Sequence, residues 1–513
     1  MQKFNTLRLG TRSSLLALAQ SRQIKAALEY CHENLRIELV EFKTQGDRDL
    51  NTPLSAVSHS DFFSDTLDTA LINKSIDFCV HSYKDLAFPR PDALHIAAIP
   101  ERENPADVVI FRRDIDSLLE AGQRIHIGSS SLRRKINTSD FLITALPNLS
   151  DSLSIDFQTL RGSVVDRLQR LLPDAGDQRL DGVVLALAGL NRLWADKHGR
   201  AAIREILAQT RWMVLPLSEC PTAMGQGALA IECRSDDTET QSILSSVHDT
   251  PTAKLLDIER TMLHEKVAQQ NSNNANYYGV SAIQNRELGY IARLRGREAE
   301  TDEATYACKT SQQPGKPATA RPWNSSNWRK QIQRTALPVE LPTSAPLFIA
   351  HWHALENINP AADTRCWTSG TASWRKLAKR GIWVEGCTDH MGFTALHESI
   401  ACDVLQLPAL ASWCALTHTG AVSSWEKSGV GNTIATYKIS ADIQNDSFNP
   451  EDIATATHFF WRTAAHFESL QHLVSSDAHH ACGPGKTLHT LKAAGLKNIS
   501  PFPSHKEWQQ WLN

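Results

Sequence analysis

The sequence contains no run of about 18 or more apolar residues, so no segment reads as a membrane-spanning helix. It also lacks an excess of either charge. Its 53 Lys and Arg stand against 56 Asp and Glu, a formal net charge of −3. Such a chain has no global basic field to draw it to nucleic acid. Ten cysteines (31, 79, 220, 233, 308, 366, 387, 402, 414 and 482) include no CxxC or other zinc-type spacing. The histidines include no HExxH, and the pairs His351/His353 and His479/His480 lack a third ligand at a diagnostic spacing. No metal is therefore expected, and the cysteines read as buried thiols of a reducing compartment. CGPGKT (482–487) is not a P-loop, because His480 stands where the motif needs its first glycine, so no nucleotide is expected. The opening MQKFNTLRLGTRSS lacks the apolar stretch of a signal peptide, which points to the cytoplasm. No internal repeat of fixed short period is present.

What is present suits a multidomain globular protein. The hydrophobic fraction is 42% and the charged fraction 21%, and 513 residues suggest roughly three to four domains. Over the first 235 residues strand-like and helix-like patterns alternate. LRLGT (7–11), RIELVEF (36–42) and IDFCVHS (76–82) read as strands. The stretch from Ser14 to Tyr30 reads as a helix, as does 60–73, with Phe63, Leu67 and Leu71 on one face. Such alternation implies parallel α/β sheets. Between 235 and 335 the texture changes: a helix over 251–269, an Asn-rich patch (271–278), two strand-like runs, then a Pro-, Gly- and Ser-rich loop or linker over 310–327. From about 345 another α/β pattern runs to the C-terminus.

Four segments place charged side chains where strands end or helices begin: LRLGTRSSLLALAQ (7–20) with Arg12 and a capping Ser13 or Ser14, VHSYKDL (80–86) with Lys84 and Asp85, IGSSSLRRK (127–135) with Arg133 and Arg134, and TLRGSVVDRL (159–168) with Arg161 and Arg167. Ligands of parallel α/β sheets gather at the carboxyl ends of strands. Helix N-termini there favour anions, and arginine pairs recognise carboxylates bidentately. The set describes a site for a small molecule bearing several carboxylates. A surface ion pair remains the competing explanation for any one segment alone.

These segments, with IPERENPADV (99–108), LALAGLNRL (185–193) and MGQGALAIECR (224–234), resemble in order the motifs of the porphobilinogen deaminases (hydroxymethylbilane synthases), over about residues 1–300. The opening matches A-T-R-x-S-x-L-A-x-x-Q with Gly10 for the first Ala. The second segment matches V-H-S-x-K-D-[VL]-P with Ala87 for Pro, and the third G-T-S-S-L-R-R with Ser129 for Thr. The resemblance implies a transferase of tetrapyrrole (haem) biosynthesis that joins four porphobilinogens with loss of ammonia and releases hydroxymethylbilane. It implies two periplasmic-binding-protein-like α/β domains, 1–105 with 206–234 and 106–205, plus a small α+β domain at 235–335. It makes Asp85 the catalytic carboxylate. Arg12, Ser14, Lys84, Ser129, Ser131, Arg133, Arg134, Arg161, Arg167 and Arg192 would hold substrate or primer. The implied partners are polycarboxylate pyrroles, with no nucleic acid or membrane; a monomer is plausible and the oligomeric state open.

Two departures stand out. The family's dipyrromethane primer hangs by a thioether from a cysteine in a G-G-C-x-x-P-x-G loop. Aligned on GVSA (279–282), that position is Asn274, and no cysteine lies between 234 and 307. An amide is no substitute for a thiolate, so covalent attachment is not expected. The family's lysine- and glycine-rich active-site loop is here AVSHSDFFSDTL (56–67). Residues 345–513 resemble a shortened uroporphyrinogen-III synthase through IATYKI (434–439), 457–470 and 480–512, with a reduced first lobe. Tyr437 and Thr463 are candidate substrate contacts there, although packing explains them equally. Asp85 favours an enzyme, fused to the next one of its pathway. The lost cysteine and loop favour a catalytically silent binder of linear tetrapyrroles. A two-lobed anion receptor of periplasmic type is a third, weaker reading.

Overall fold

Alternating apolar residues set the first strands. Leu7 and Leu9 of β1 (Asn5–Arg12) share a core with Leu35 and Ile37 of β2 (Leu35–Phe42) and with Phe78 and Val80 of β3 (Phe78–Ser82). Helix α1 (Leu15–Cys31) lays Ile24 and Leu28 on that core, and its start is fixed by the Ser14 hydroxyl, which accepts from the Ala17 amide at 3.3 Å. The computed structural model describes residues 5–43, 65–150, 152–269, 275–298, 303–311, 314–324, 332–441 and 450–513. The expected helix over 60–73 is seen as α2 (Asp65–Ile72), with Leu67 and Leu71 buried as anticipated, while Phe63 lies outside the described residues.

The chain divides into two compact units. The first comprises Met1–Ser281, Leu294–Thr305 and Glu398–Leu407; the second comprises Ala282–Arg293, Tyr306–His397 and Pro408–Asn513. The first unit holds two five-stranded sheets. One has the order β2-β1-β3-β10-β4, with β4 (Leu94–Ala98) and β10 (Leu229–Arg234). The other has the order β7-β6-β8-β5-β9, from β5 (Asp107–Arg112), β6 (Arg124–Gly128), β7 (Ser154–Gln158), β8 (Gly182–Ala186) and β9 (Thr210–Val214). Each sheet has parallel strands on one side and a single antiparallel strand, β10 or β5, in fourth place. These are the two periplasmic-binding-protein-like α/β domains. The second sheet keeps 210–214, which the sequence reading gave to the first domain: Val214 to Thr210 pair with Val108 to Arg112, so the chain returns only after β9.

A three-stranded sheet follows, from β11 (Tyr278–Asn285), β12 (Gly289–Arg297) and β13 (Ala304–Thr310). The second unit then carries two sheets. The Pro-rich stretch expected as a linker contains β14 (Pro322–Asn324), which pairs in parallel with a later strand, and Trp323 buries its indole in that sheet's core. Next, β15 (Ile332–Ala336) pairs antiparallel with a strand a hundred residues on. The two sheets thus draw in residues upstream of 345. The larger is six-stranded, β15-β20-β19-β16-β17-β18, with β16 (Leu347–Ile349), β17 (Cys366–Thr368), β18 (Gly386–Cys387), β19 (Cys414–His418) and β20 (Asn432–Ala441). The smaller is four-stranded, β14-β21-β22-β23, with β21 (His458–Trp461), β22 (His479–Cys482) and β23 (Ile499–Pro501). The lobe expected to be reduced is the six-stranded one. No helix among the described residues is long and apolar enough to cross a membrane.

Candidate active site

The centre of the first unit is a carboxylate that the sequence reading passed over. Asp107 opens β5, has no solvent exposure, and receives Arg133 Nη1 at 2.8 Å on one oxygen and Arg134 Nη2 at 2.8 Å on the other. Burial alone would raise its carboxyl. The two guanidinium groups and the amide of Gln226, whose Nε2 donates at 2.8 Å, outweigh burial and hold it well below the usual carboxylate range. Gln226 also donates to the Pro105 carbonyl and accepts from Lys84 Nζ at 3.2 Å. It therefore joins the VHSYKD turn to Asp107. The sequence carried signals for both residues. Asp107 interrupts an otherwise apolar strand, where a buried charge demands a cation, and Gln226 sits between two glycines in MGQG.

Around this hub the expected residues separate into two groups. Lys84, Asp85, Arg134, Arg161 and Arg167 come together electrostatically. Lys84 and Asp85 occupy a single 3₁₀ turn, Tyr83–Asp85, directly after β3. Burial, with Arg134 and Arg133 adding, pushes the Lys84 ammonium down to about 8 against the pull of Asp85 and Asp107. Asp85 itself is exposed. Arg167 opens outward from α4 (Val164–Gln169), whose start is locked by a reciprocal Ser163–Asp166 capping box. Burial first, then Arg134 and Arg161, push Arg167 down to about 10, with Asp85 and Asp166 opposing. One Arg161 nitrogen, Nη1, is buried with no hydrogen-bond partner among the described residues.

The remaining expected contacts serve the protein itself. Arg133 spends Nη1 on Asp107 and on the Pro221 carbonyl at 2.9 Å. Arg192, on α5 (Leu187–Ala195), gives Nη2 to the Gly227 carbonyl at 2.6 Å. Burial lowers the Arg192 guanidinium to about 10, with Glu103 opposing. Neither is placed as a surface ligand for substrate, because each answers a buried acceptor. Ser14 and Ser131 are helix caps; Ser131 holds the start of α3 (Leu132–Ala145), accepting from the Arg134 amide at 3.4 Å. Ser129 is buried and accepts from the Ser131 amide at 3.3 Å. Arg12 ends β1, half-buried. Asn274 and most of the 56–67 loop lie outside the described residues.

A second buried grouping includes Cys79, His81 and Glu232, whose donor atoms lie within 4.8 Å of one another. Glu232 is already paired with Arg90 Nε at 2.8 Å, and Arg90 Nη2 reaches Asp68 at 2.7 Å. An ion-pair network of Arg90, Asp68, Glu232 and His81 thus accounts for the clustering.

With this geometry in view, comparison with known proteins is decisive. Residues 7–242 match the family model described as porphobilinogen deaminase, dipyromethane cofactor binding domain. A porphobilinogen deaminase of Gloeobacter violaceus is 37% identical over 261 residues, covering 50% of this chain and 72% of that protein. One from Macrococcus caseolyticus is 38% identical over 255 residues, covering 50% and 75%. The chain belongs to the porphobilinogen deaminase family. Among solved structures, YhfZ from Shigella flexneri aligns at a TM-score of 0.24 and 16% identity, over 53% of this chain and 99% of that one, a likeness too slight to carry weight. The deaminase-family match leaves the second unit unassigned.

The family's primer can be tested against these residues. With Arg134 answered by Asp107, Lys84, Arg161 and Arg167 still gather more positive charge than Asp85 offsets, since Asp166 caps its own helix. Together with the orphaned Arg161 nitrogen this suits a group rich in carboxylates. The donor set fits the primer's acid side chains; the sequence between 234 and 307 offers no thiol to anchor it.

Proposed function

We propose that the first unit condenses porphobilinogen to hydroxymethylbilane in tetrapyrrole biosynthesis, as a deaminating transferase that holds its primer without the thioether. The observation that carries this reading is the pairing of an exposed carboxylate, Asp85, with the half-buried cations Lys84, Arg161 and Arg167 and the buried Arg134. The cations take the acetate and propionate groups of the pyrroles. A dipyrromethane, when bound, supplies the first two rings of the growing chain, and its carboxylates are held by the same guanidinium groups.

Asp85 stands beside the pyrrole N–H and stabilises the cationic methylene-pyrrole left as ammonia departs. Lys84 brings a positive charge next to it. Gln226 keeps Lys84 in register with Asp107, so the turn carrying Asp85 is braced from below. The two α/β domains each supply part of the set: VHSYKD from the first, GSSSLRR and LRGSVVDR from the second. The three-stranded sheet of β11, β12 and β13 is the small third domain of this assignment, while β14 and β15 belong to the sheets of the second unit, the synthase-like partner that receives the product. Its support is the order of motifs over 434–512 and the pair of α/β sheets that these residues build.

A second reading is favoured by one specific observation, the absence of cysteine between 234 and 307: a silent receptor for linear tetrapyrroles. Porphobilinogen consumption by the purified full chain separates the two. Turnover is expected, and Asp85→Asn is expected to lower it by about 10²–10⁴-fold while porphobilinogen still binds. Binding without turnover in the wild type replaces the enzyme by the receptor. Turnover unchanged in Asp85→Asn removes Asp85 from its role.

A further inference from the structure

The six-stranded sheet of the second unit reverses its strand order between β16 and β19: β17 and β18 extend the sheet on one side of β16, whereas β19 and β20 extend it on the other. In open α/β sheets such a reversal leaves a crevice at the carboxyl ends of the flanking strands, where ligands bind. Here those ends carry an unusual set of side chains. His351 and His353 follow β16, His418 ends β19, and Tyr437 lies opposite His418 on β20. The His418 and Tyr437 rings stand 5.7 Å apart, those of His353 and Tyr437 6.3 Å. Beside them is a cavity of about 180 Å³ lined by Arg334, His353, Glu356, Asn357, Thr436 and Tyr437, among others.

We propose that this crevice is a ligand site of its own, built for a carboxylate attached to a single aromatic ring. Arg334 is the anion anchor. It is exposed on edge strand β15 and makes no ion pair among the described residues, although it lies close enough to influence both His351 and Tyr437. A guanidinium with free donors on a cavity wall is suited to bidentate capture of a carboxylate. Glu356 fixes the adjacent imidazole, its Oε2 lying 2.6 Å from His353 Nδ1, which leaves Nε2 for the ligand. Tyr437, only 6% exposed and lining the cavity beside His353, supplies a flat face for ring stacking. Thr436 and Asn357 add neutral polar groups. Size narrows the class further. Cavities for drug-sized molecules span roughly 300–1,000 Å³, so this one admits one ring with its acid group. The proposal does not depend on deaminase activity in the first unit.

Calorimetric titration of the full chain with pyrrole-2-carboxylate tests it. Wild type is expected to bind the probe. Arg334→Gln is expected to weaken binding by about tenfold or more, the effect of losing one charge-assisted contact. Arg334→Lys should recover part of that loss, and His353→Gln should weaken binding measurably. Lys427→Gln, an exposed cation of the same unit outside the cavity lining, should leave the probe's affinity where it was. Weakening only by Arg161→Gln, in the other unit, would place the probe in the first unit and overturn the proposal. So would the absence of binding in the wild type, or binding that none of these variants alters.

Discussion

Asp107 shows how a single residue can dominate a site without touching substrate. It is wholly buried and its two oxygens answer two guanidinium groups, so replacing it leaves two buried cations without a counter-charge. Asp107→Asn should therefore cost about 3–5 kcal/mol in denaturant unfolding at neutral pH. The sign of its pH dependence follows from the direction of the shift. The folded carboxyl titrates below the unfolded one, so its stabilisation is complete above the ordinary aspartate value of about 4 and is lost as pH falls through the folded value. The gap between wild type and Asp107→Asn should then narrow only in acid; a gap that stays constant through acid pH would contradict the depressed carboxyl. Lys84 behaves oppositely. Its ammonium is pushed down to about 8, so carboxylate binding that relies on its charge should weaken as pH rises through about 8. Lys84→Arg keeps its charge throughout, and its binding profile should lack that alkaline decline; an identical decline in the variant would assign it to another group. The motifs made these residues legible as a set, but not their division of labour. Arg133, Arg134 and Arg192 look in sequence like Arg161, and only the fold shows that the first two neutralise Asp107 and the third holds the Gly227 carbonyl.

Among elements, the legible ones were those with a full period of apolar residues. β1, β3, α1 and the helix at Thr250–Gln269 begin and end within two residues of the ranges read from pattern. β14 was not legible, because a three-residue strand in a Pro- and Ser-rich stretch carries no period; its one signal was Trp323, an indole that needed a core. The turn Met224–Gly227 is equally a matter of local geometry. Gly227 has φ +89°, and a Cβ there would stand 2.5 Å from the Glu103 carbonyl oxygen. Its own carbonyl receives Arg192, and the neighbouring Gln226 bridges Lys84 to Asp107. Gly227→Ala should cost about 1–3 kcal/mol in backbone strain, visible as a lowered melting temperature. Because the strained segment carries Gln226, porphobilinogen binding should weaken along with stability. A variant with wild-type affinity and a lowered melting temperature would show that the turn is structural only.

At the scale of the whole chain the question is how a chain of this family with no cysteine between 234 and 307 would hold a primer. Three buried thiols of the first unit are poor replacements for a cysteine there. Cys79, Cys220 and Cys233 are buried, and burial pushes each thiol upward, Cys233 to about 12, away from the thiolate that a thioether linkage needs. What is kept is the cationic set, and charge-assisted hydrogen bonds to carboxylates contribute about 1.5–3 kcal/mol each. Four such contacts to a polycarboxylate can retain a ligand through purification without any bond to it. Mass spectrometry of one preparation under two conditions follows from this. Under denaturing conditions the mass should equal the bare chain, and under native conditions a population should carry additional mass that denaturation releases. Arg161→Gln combined with Arg167→Gln should abolish the native adduct without altering the denatured mass. A denatured mass that already exceeds the chain by a dipyrromethane would mean that a side chain other than a cysteine of the 234–307 stretch, which has none, forms the bond, and that the cationic cluster positions the primer rather than holding it.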